Sequence, residues 1–81
     1  MHEWLSAARD RLADAVGDAP ATYELRQEDV DALLEVARVA AHDSGDRTNA
    51  PLLTFLVGLA LGRHGERTLA EVADRVTGES G

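Results

Sequence analysis

Cysteine and lysine are both missing from the 81 residues. Without cysteine there can be no disulfide, no thiolate nucleophile and no zinc site built on sulfur. A secreted domain this small usually needs such staples, so a cytoplasmic setting is expected. Aromatic residues are scarce, one each of Trp, Tyr and Phe (Trp4, Tyr23 and Phe55), so the core must be aliphatic. Long apolar runs are missing too. The longest, Pro51–Leu61, is interrupted by Thr54 and Gly58 and falls well short of the roughly 20 residues a membrane span requires. No basic segment precedes an apolar stretch, so neither a signal peptide nor a membrane association is expected.

Positive charge is also in short supply. Eight basic residues, all arginine, face fifteen acidic ones, for a formal net charge of −7. A field of that sign repels phosphate backbones, so no binding to duplex DNA or RNA is expected at physiological salt.

What remains is a chain of 44% hydrophobic residues, enough for a core and too many for a disordered tail. Its length makes one domain, residues 1–81, with 77–81 as a frayed tail. A chain this short hides only about 60–65% of its unfolded surface, so net stability is expected to be small and a partner surface would help.

Apolar residues recur with a helical period in four segments separated by Gly- and Asp-rich breaks. The reading is an all-α, compact four-helix bundle. Glu3–Val16 carries Trp4, Leu5, Ala8, Leu12, Ala15 and Val16 on one face, and Gly17 suits a left-handed stop. Residues 21–26 fit either a short extended stretch or an irregular approach to the next helix. That helix is expected over Glu28–His42, with Val30, Leu33, Leu34, Ala37 and Ala41 inward and carboxylates in its first turn. Gly45 is a natural stop, Asn49 a natural N-cap for a third helix reaching Arg63, and Gly65 a plausible end. Thr68 to Glu71 reads as a capping box for a fourth helix ending near Val76.

The third helix carries the most information. Leu52, Leu53, Phe55, Leu56, Val57, Leu59, Ala60 and Leu61 cover most of its circumference, the pattern of a helix buried at the centre of a bundle. The remaining strip, Thr54, Gly58 and Gly62, is spaced by four and suits the close approach of another helix, of the same chain or of a second one. Gly58→Leu is accordingly expected to destabilise the domain or disrupt a dimer. Trp4, with this strip, is the candidate packing or interface set, and self-association or docking through the first and third helices is expected.

Catalytic chemistry finds little support. His2, His42 and His64 lack metal-ligand spacing. Ser6, Ser44 and Ser80 have no nearby histidine in a recognisable context, and the carboxylates sit in helix first turns and on outer faces. No catalytic residue, metal or cofactor is assigned, and a bundle of this size rarely encloses a pocket of a few hundred Å³. The loop 42–51, with His42, Arg47 and Asn49 leading into a helix N-terminus, admits two readings: a small-anion, nucleotide or partner-carboxylate site, or a capped interhelical loop.

The segment Leu34, Ala37, Arg38, Ala41 and His42, then Arg47, then Ala50-Pro51-Leu52-Leu53-Thr54-Phe55-Leu56-Val57-Gly58, resembles the signature of a small actinobacterial family, domain of unknown function 6457. Trp4-Leu5 also fits. The loop departs from the family pattern in being more acidic and in having Thr48 where a proline follows the arginine. Members of that family occur alone or fused to nucleotidyltransferases resembling molybdenum-cofactor guanylyltransferases. The resemblance implies a non-enzymatic accessory or protein-interaction domain linked to molybdopterin guanine dinucleotide maturation. Its partner would be such a nucleotidyltransferase or a second copy of the chain; the alternative is a small-anion or nucleotide-binding domain using loop 42–51.

Overall fold

A computed structural model describes residues 3–78. His2, Ser80 and the tail beyond Gly78 lie outside the described residues. Four α-helices follow one another: α1 (Glu3–Val16), α2 (Gln27–Ser44), α3 (Asn49–Arg63) and α4 (Leu69–Thr77), with a single 3-10 turn at Pro20–Tyr23. No strand occurs among the described residues. The all-α bundle expected from the periodicity is the observed fold.

Local chemistry sets the boundaries. Gly17, Gly45 and Gly78 each adopt positive φ at a helix end, 79°, 74° and 76°, a conformation that costs other residues a Cβ clash. The amide of Gly45 closes α2 by donating to the Ala41 carbonyl at 3.0 Å. At the start of α2 the Asp29 carboxylate reaches back to accept from the Arg26 amide at 2.9 Å. At the start of α4 the Thr68 hydroxyl accepts from the Glu71 amide at 3.2 Å, which is the forward half of the expected capping box. Several ends differ from the sequence reading, α2 running from Gln27 to Ser44 instead of Glu28 to His42. His64, not Gly65, is the last cap of α3, donating its amide to the Ala60 carbonyl. Of residues 21–26, left open by the sequence, 21–23 join Pro20 in the 3-10 turn because Pro20 presets φ for its first position.

α2 is the hub, packing against both α3 and α4. The core cluster is Val36 of α2, Val57 of α3 and Ala73 of α4, flanked by Ala32, Leu53, Leu61, Leu69 and Val72. Val36 is the largest side chain fully out of water. The expectation that the apolar third helix lies at the centre is therefore corrected: of its residues only Val57 is buried, and Leu52, Phe55, Leu56 and Leu59 are 60, 67, 55 and 49% exposed. The reason is geometric. Two neighbouring helices cover one side of α3, and no third helix closes on the other.

α1 explains that opening. Its backbone approaches the 3-10 turn but comes within 8 Å, Cα to Cα, of none of α2, α3 and α4, whereas helices in direct contact pack at interaxial distances of about 8–10 Å. It is fastened through Arg9, whose half-buried guanidinium donates to Glu24 at 2.7 Å and to Asp10 at 3.0 Å, and through Ala13, which is fully buried. The product is a three-helix body with a fourth helix standing off it.

Candidate functional site: an apolar groove between α1 and α3

The space between the standing-off helix and the body is a groove of about 620 Å³, open to solvent. α1 supplies Leu5, Ala8, Arg9 and Leu12, one face at three- and four-residue intervals. The segment Thr22–Leu25 forms one end, and α3 supplies Gly58, Leu61 and Gly62. Leu5, Leu12 and Leu25 make the lining apolar, and the polar rim is Arg9 with Glu24 and the Tyr23 ring. Tyr23 donates its hydroxyl to Asp18. That hydrogen bond, then desolvation, then the Asp18 charge hold the phenol above its ordinary pKa. A pocket of this size is not expected from so small a bundle; the groove exists because it is a gap between helices, not an enclosed cavity.

Gly58 and Gly62 of the small-residue strip line this groove. A Cβ built on Gly58 or Gly62 would meet nothing within 4 Å. The expected close helix contact at these glycines is therefore not made within the chain, and the two residues present open backbone at the α3 edge of the groove. Thr54, the third member of the strip, is half-buried and spends its hydroxyl on its own helix, donating to the Ala50 carbonyl at 2.7 Å. Trp4 is 68% exposed on α1. Eight of the ten large exposed hydrophobic residues belong to α1 and α3: Trp4, Leu5, Leu12 and Val16 on the first, Leu52, Phe55, Leu56 and Leu59 on the second. Arg9, Tyr23, Glu24 and Leu25 were missed by sequence reasoning. The signal was the placing of Arg9 on the same helical face as Leu5 and Leu12, which charge alone argued against.

The loop 42–51 is an interhelical loop closed by its own hydrogen bonds, though not through the expected residue. Asn49 is the first residue of α3 and not its N-cap, which is Thr48, and Asp46 closes the turn that leads into the helix. Its carboxylate accepts from the Thr48 amide at 2.9 Å and the Thr48 hydroxyl at 2.7 Å, and its carbonyl accepts from the Asn49 amide at 3.1 Å. The hydroxyl bond, then the amide bond, lower the Asp46 pKa. The donors that an incoming anion would use are thus already taken, those of Thr48 by a carboxylate and the Asn49 and Ala50 amides by the Asp46 and Arg47 carbonyls. His42 sits 3.5 Å from Asp43, with both side chains largely in water. Arg47 is exposed, and neither it, His42 nor Asn49 lines the groove. A smaller cleft of about 280 Å³ between α3 and α4 includes His64, Arg67 and Glu71. There Arg67 is paired with Glu71 at 3.0 Å, and His64 lies 3.7 Å from Glu66. Among the described residues no cluster of three or more His, Asp or Glu side chains could hold a metal ion, and no helix is long and apolar enough to cross a membrane.

Fold and site together define a class: a small helical domain whose most developed surface feature is an open apolar groove rather than a cluster of reactive groups. A family model for a domain of unknown function, DUF6457, matches residues 1–80. The chain belongs to that family. No curated protein and no solved structure matches it.

Proposed function

We propose that this chain is a non-enzymatic accessory domain that docks on another protein through the α1–α3 groove. The carrying observation is the groove itself: an apolar trough of about 620 Å³ whose walls leave Leu5 and Leu12 39 and 51% exposed. An amphipathic helix is the chemistry that such a trough accepts, its apolar face laid into the opening and anchored by residues at i, i+3, i+4 and i+7. The pKa shifts of Tyr23 and Asp46 come chiefly from hydrogen bonds within their own surface turns, which is structural chemistry. The partner favoured by the sequence resemblance is a nucleotidyltransferase of the molybdenum-cofactor guanylyltransferase type. The domain would then serve molybdopterin guanine dinucleotide maturation by holding or positioning that enzyme.

The test is a fluorescence-anisotropy titration of the dye-labelled chain with such a purified nucleotidyltransferase. Saturable binding that Leu12→Glu abolishes, with the helical circular-dichroism spectrum unchanged, supports the proposal. Absence of binding at near-millimolar enzyme removes the nucleotidyltransferase from it. Binding that is indifferent to Leu12→Glu moves the interface away from the groove.

A further inference from the structure

Docking of a single helix in the groove uses Gly58 and Gly62 but leaves the exposed Phe55 and Leu59 beside them without a role. Phe55, Gly58, Leu59 and Gly62 stand at i, i+3, i+4 and i+7, one seam of the helix. Phe55 and Leu59 are exposed, while Gly58 and Gly62 have open space where a side chain would be. Two large side chains and two vacant positions therefore alternate as a pair of knobs and a pair of holes. Laid antiparallel on a copy of itself about a two-fold axis between positions 58 and 59, the seam sets Phe55 against Gly62 and Leu59 against Gly58. Every knob meets a hole.

We infer that the chain forms a symmetric homodimer in which two α3 helices cross antiparallel along Phe55, Gly58, Leu59 and Gly62. The inference rests on the reading of the α1–α3 surface as an interaction face and names a second copy as its occupant. Two further observations support it. The first is area. A folded monomer of 8.7 kDa should expose about 4,700 Å², and this chain exposes 5993 Å². The excess is on the order of 1,300 Å² over the whole chain, and the exposed apolar faces of α1 and α3 are part of it. A stable interface of standard size takes about 800 Å² from each partner. The second is charge. The chain carries a net −7, yet α3 has no charged residue from Asn49 to Gly62. An uncharged seam is where two acidic copies can meet without opposing carboxylates, and antiparallel crossing sets the helix dipoles in the favourable sense.

The absence of cysteine makes the full chain suited to cross-linking. Single-cysteine variants Phe55→Cys and Gly62→Cys are oxidised separately and as a mixture, and the mass of the unlabelled chain is followed by sedimentation from micromolar to near-millimolar concentration. The inference expects a dimer in sedimentation, a disulfide in the mixture and little in Phe55→Cys alone. It also expects Phe55→Glu to weaken the dimer by about thirtyfold or more, the loss typical of a central interface residue, with the helical circular-dichroism spectrum unchanged. Efficient cross-linking of Phe55→Cys with itself would mean parallel helices and overturn the inference, as would a dimer indifferent to Phe55→Glu. A strict monomer throughout also overturns it. If that monomer still binds the nucleotidyltransferase in a manner sensitive to Leu12→Glu, the docking proposal stands without the dimer; if it does not, both fall.

Discussion

Replacing Gly58 by alanine separates the contribution of the backbone from that of the interface. Gly58 lies inside α3 and is not among the glycines at positive φ, so alanine can take its conformation without strain. Its new methyl group meets nothing within 4 Å, so no overpacking arises inside the chain. What is left is helix propensity, which favours alanine over glycine by about 1 kcal/mol. In a domain of this size that corresponds to a rise of about 4–8 °C in melting temperature. The measurement belongs in the Phe55→Glu background, where association does not contribute to the melt. In the chain without that second change, the same methyl group fills the hole that would receive Leu59 of the second copy, so the dimer should weaken while the monomer gains. Gly45→Ala serves as the control of opposite sign, because Gly45 sits at φ 74° and a Cβ there costs on the order of 1–2 kcal/mol. A fall in the melting temperature of Gly58→Ala in the monomeric background would show that Gly58 is tightly packed within the chain, and the groove would lose its floor.

Two other perturbations address the body and the loop. Val36→Ala truncates the largest fully buried side chain and should cost about 1–3 kcal/mol, seen as a drop in the urea midpoint at unchanged m-value; a neutral result would mean that the hub of the core is elsewhere. Asp46 has a depressed pKa in the folded chain, so its contribution is present above the ordinary carboxylate value of 3.8 and is lost as pH falls through the lower folded value. The Thr48 amide resonance should therefore titrate below that ordinary value, and in Asp46→Asn the titration should vanish; a Thr48 signal that does not move in acid would refute the turn-closing role.

Helix boundaries were legible wherever a single residue type has a mechanical reason to be there. Gly17 and Gly45 end helices through positive φ, and Thr68 starts one through its hydroxyl. Asn49 was misread because two side chains capable of capping stand close together. Asp46 reaches the Thr48 amide from a turn earlier, and the sequence does not say which of the two folds back. The burial of α3 was misread for a different reason. Apolar coverage records what a helix would gain by being enclosed, not whether enough neighbours exist to enclose it. The presence of exposed apolar surface on the first and third helices was nonetheless within reach, since the shortage of covering elements follows from chain length. The groove was not, because it depends on Arg9 reaching Glu24 across fifteen positions, and long-range pairing leaves no periodic trace.

The uneven placement of charge bears on how ionic strength would act. A carboxylate-rich body joined to an uncharged seam slows the encounter of two copies, since the net −7 bodies repel before the seams touch. Salt shortens that repulsion, to a screening length of about 10 Å at 0.1 M, so added salt should speed and tighten self-association. A partner with basic flanks to its docking helix would respond in the reverse sense, steered in at low salt and released at high. Because Gly58 and Gly62 belong to both the seam and the groove, the two assemblies exclude each other. The ionic medium would then select between a chain occupied with itself and a chain free to engage another protein.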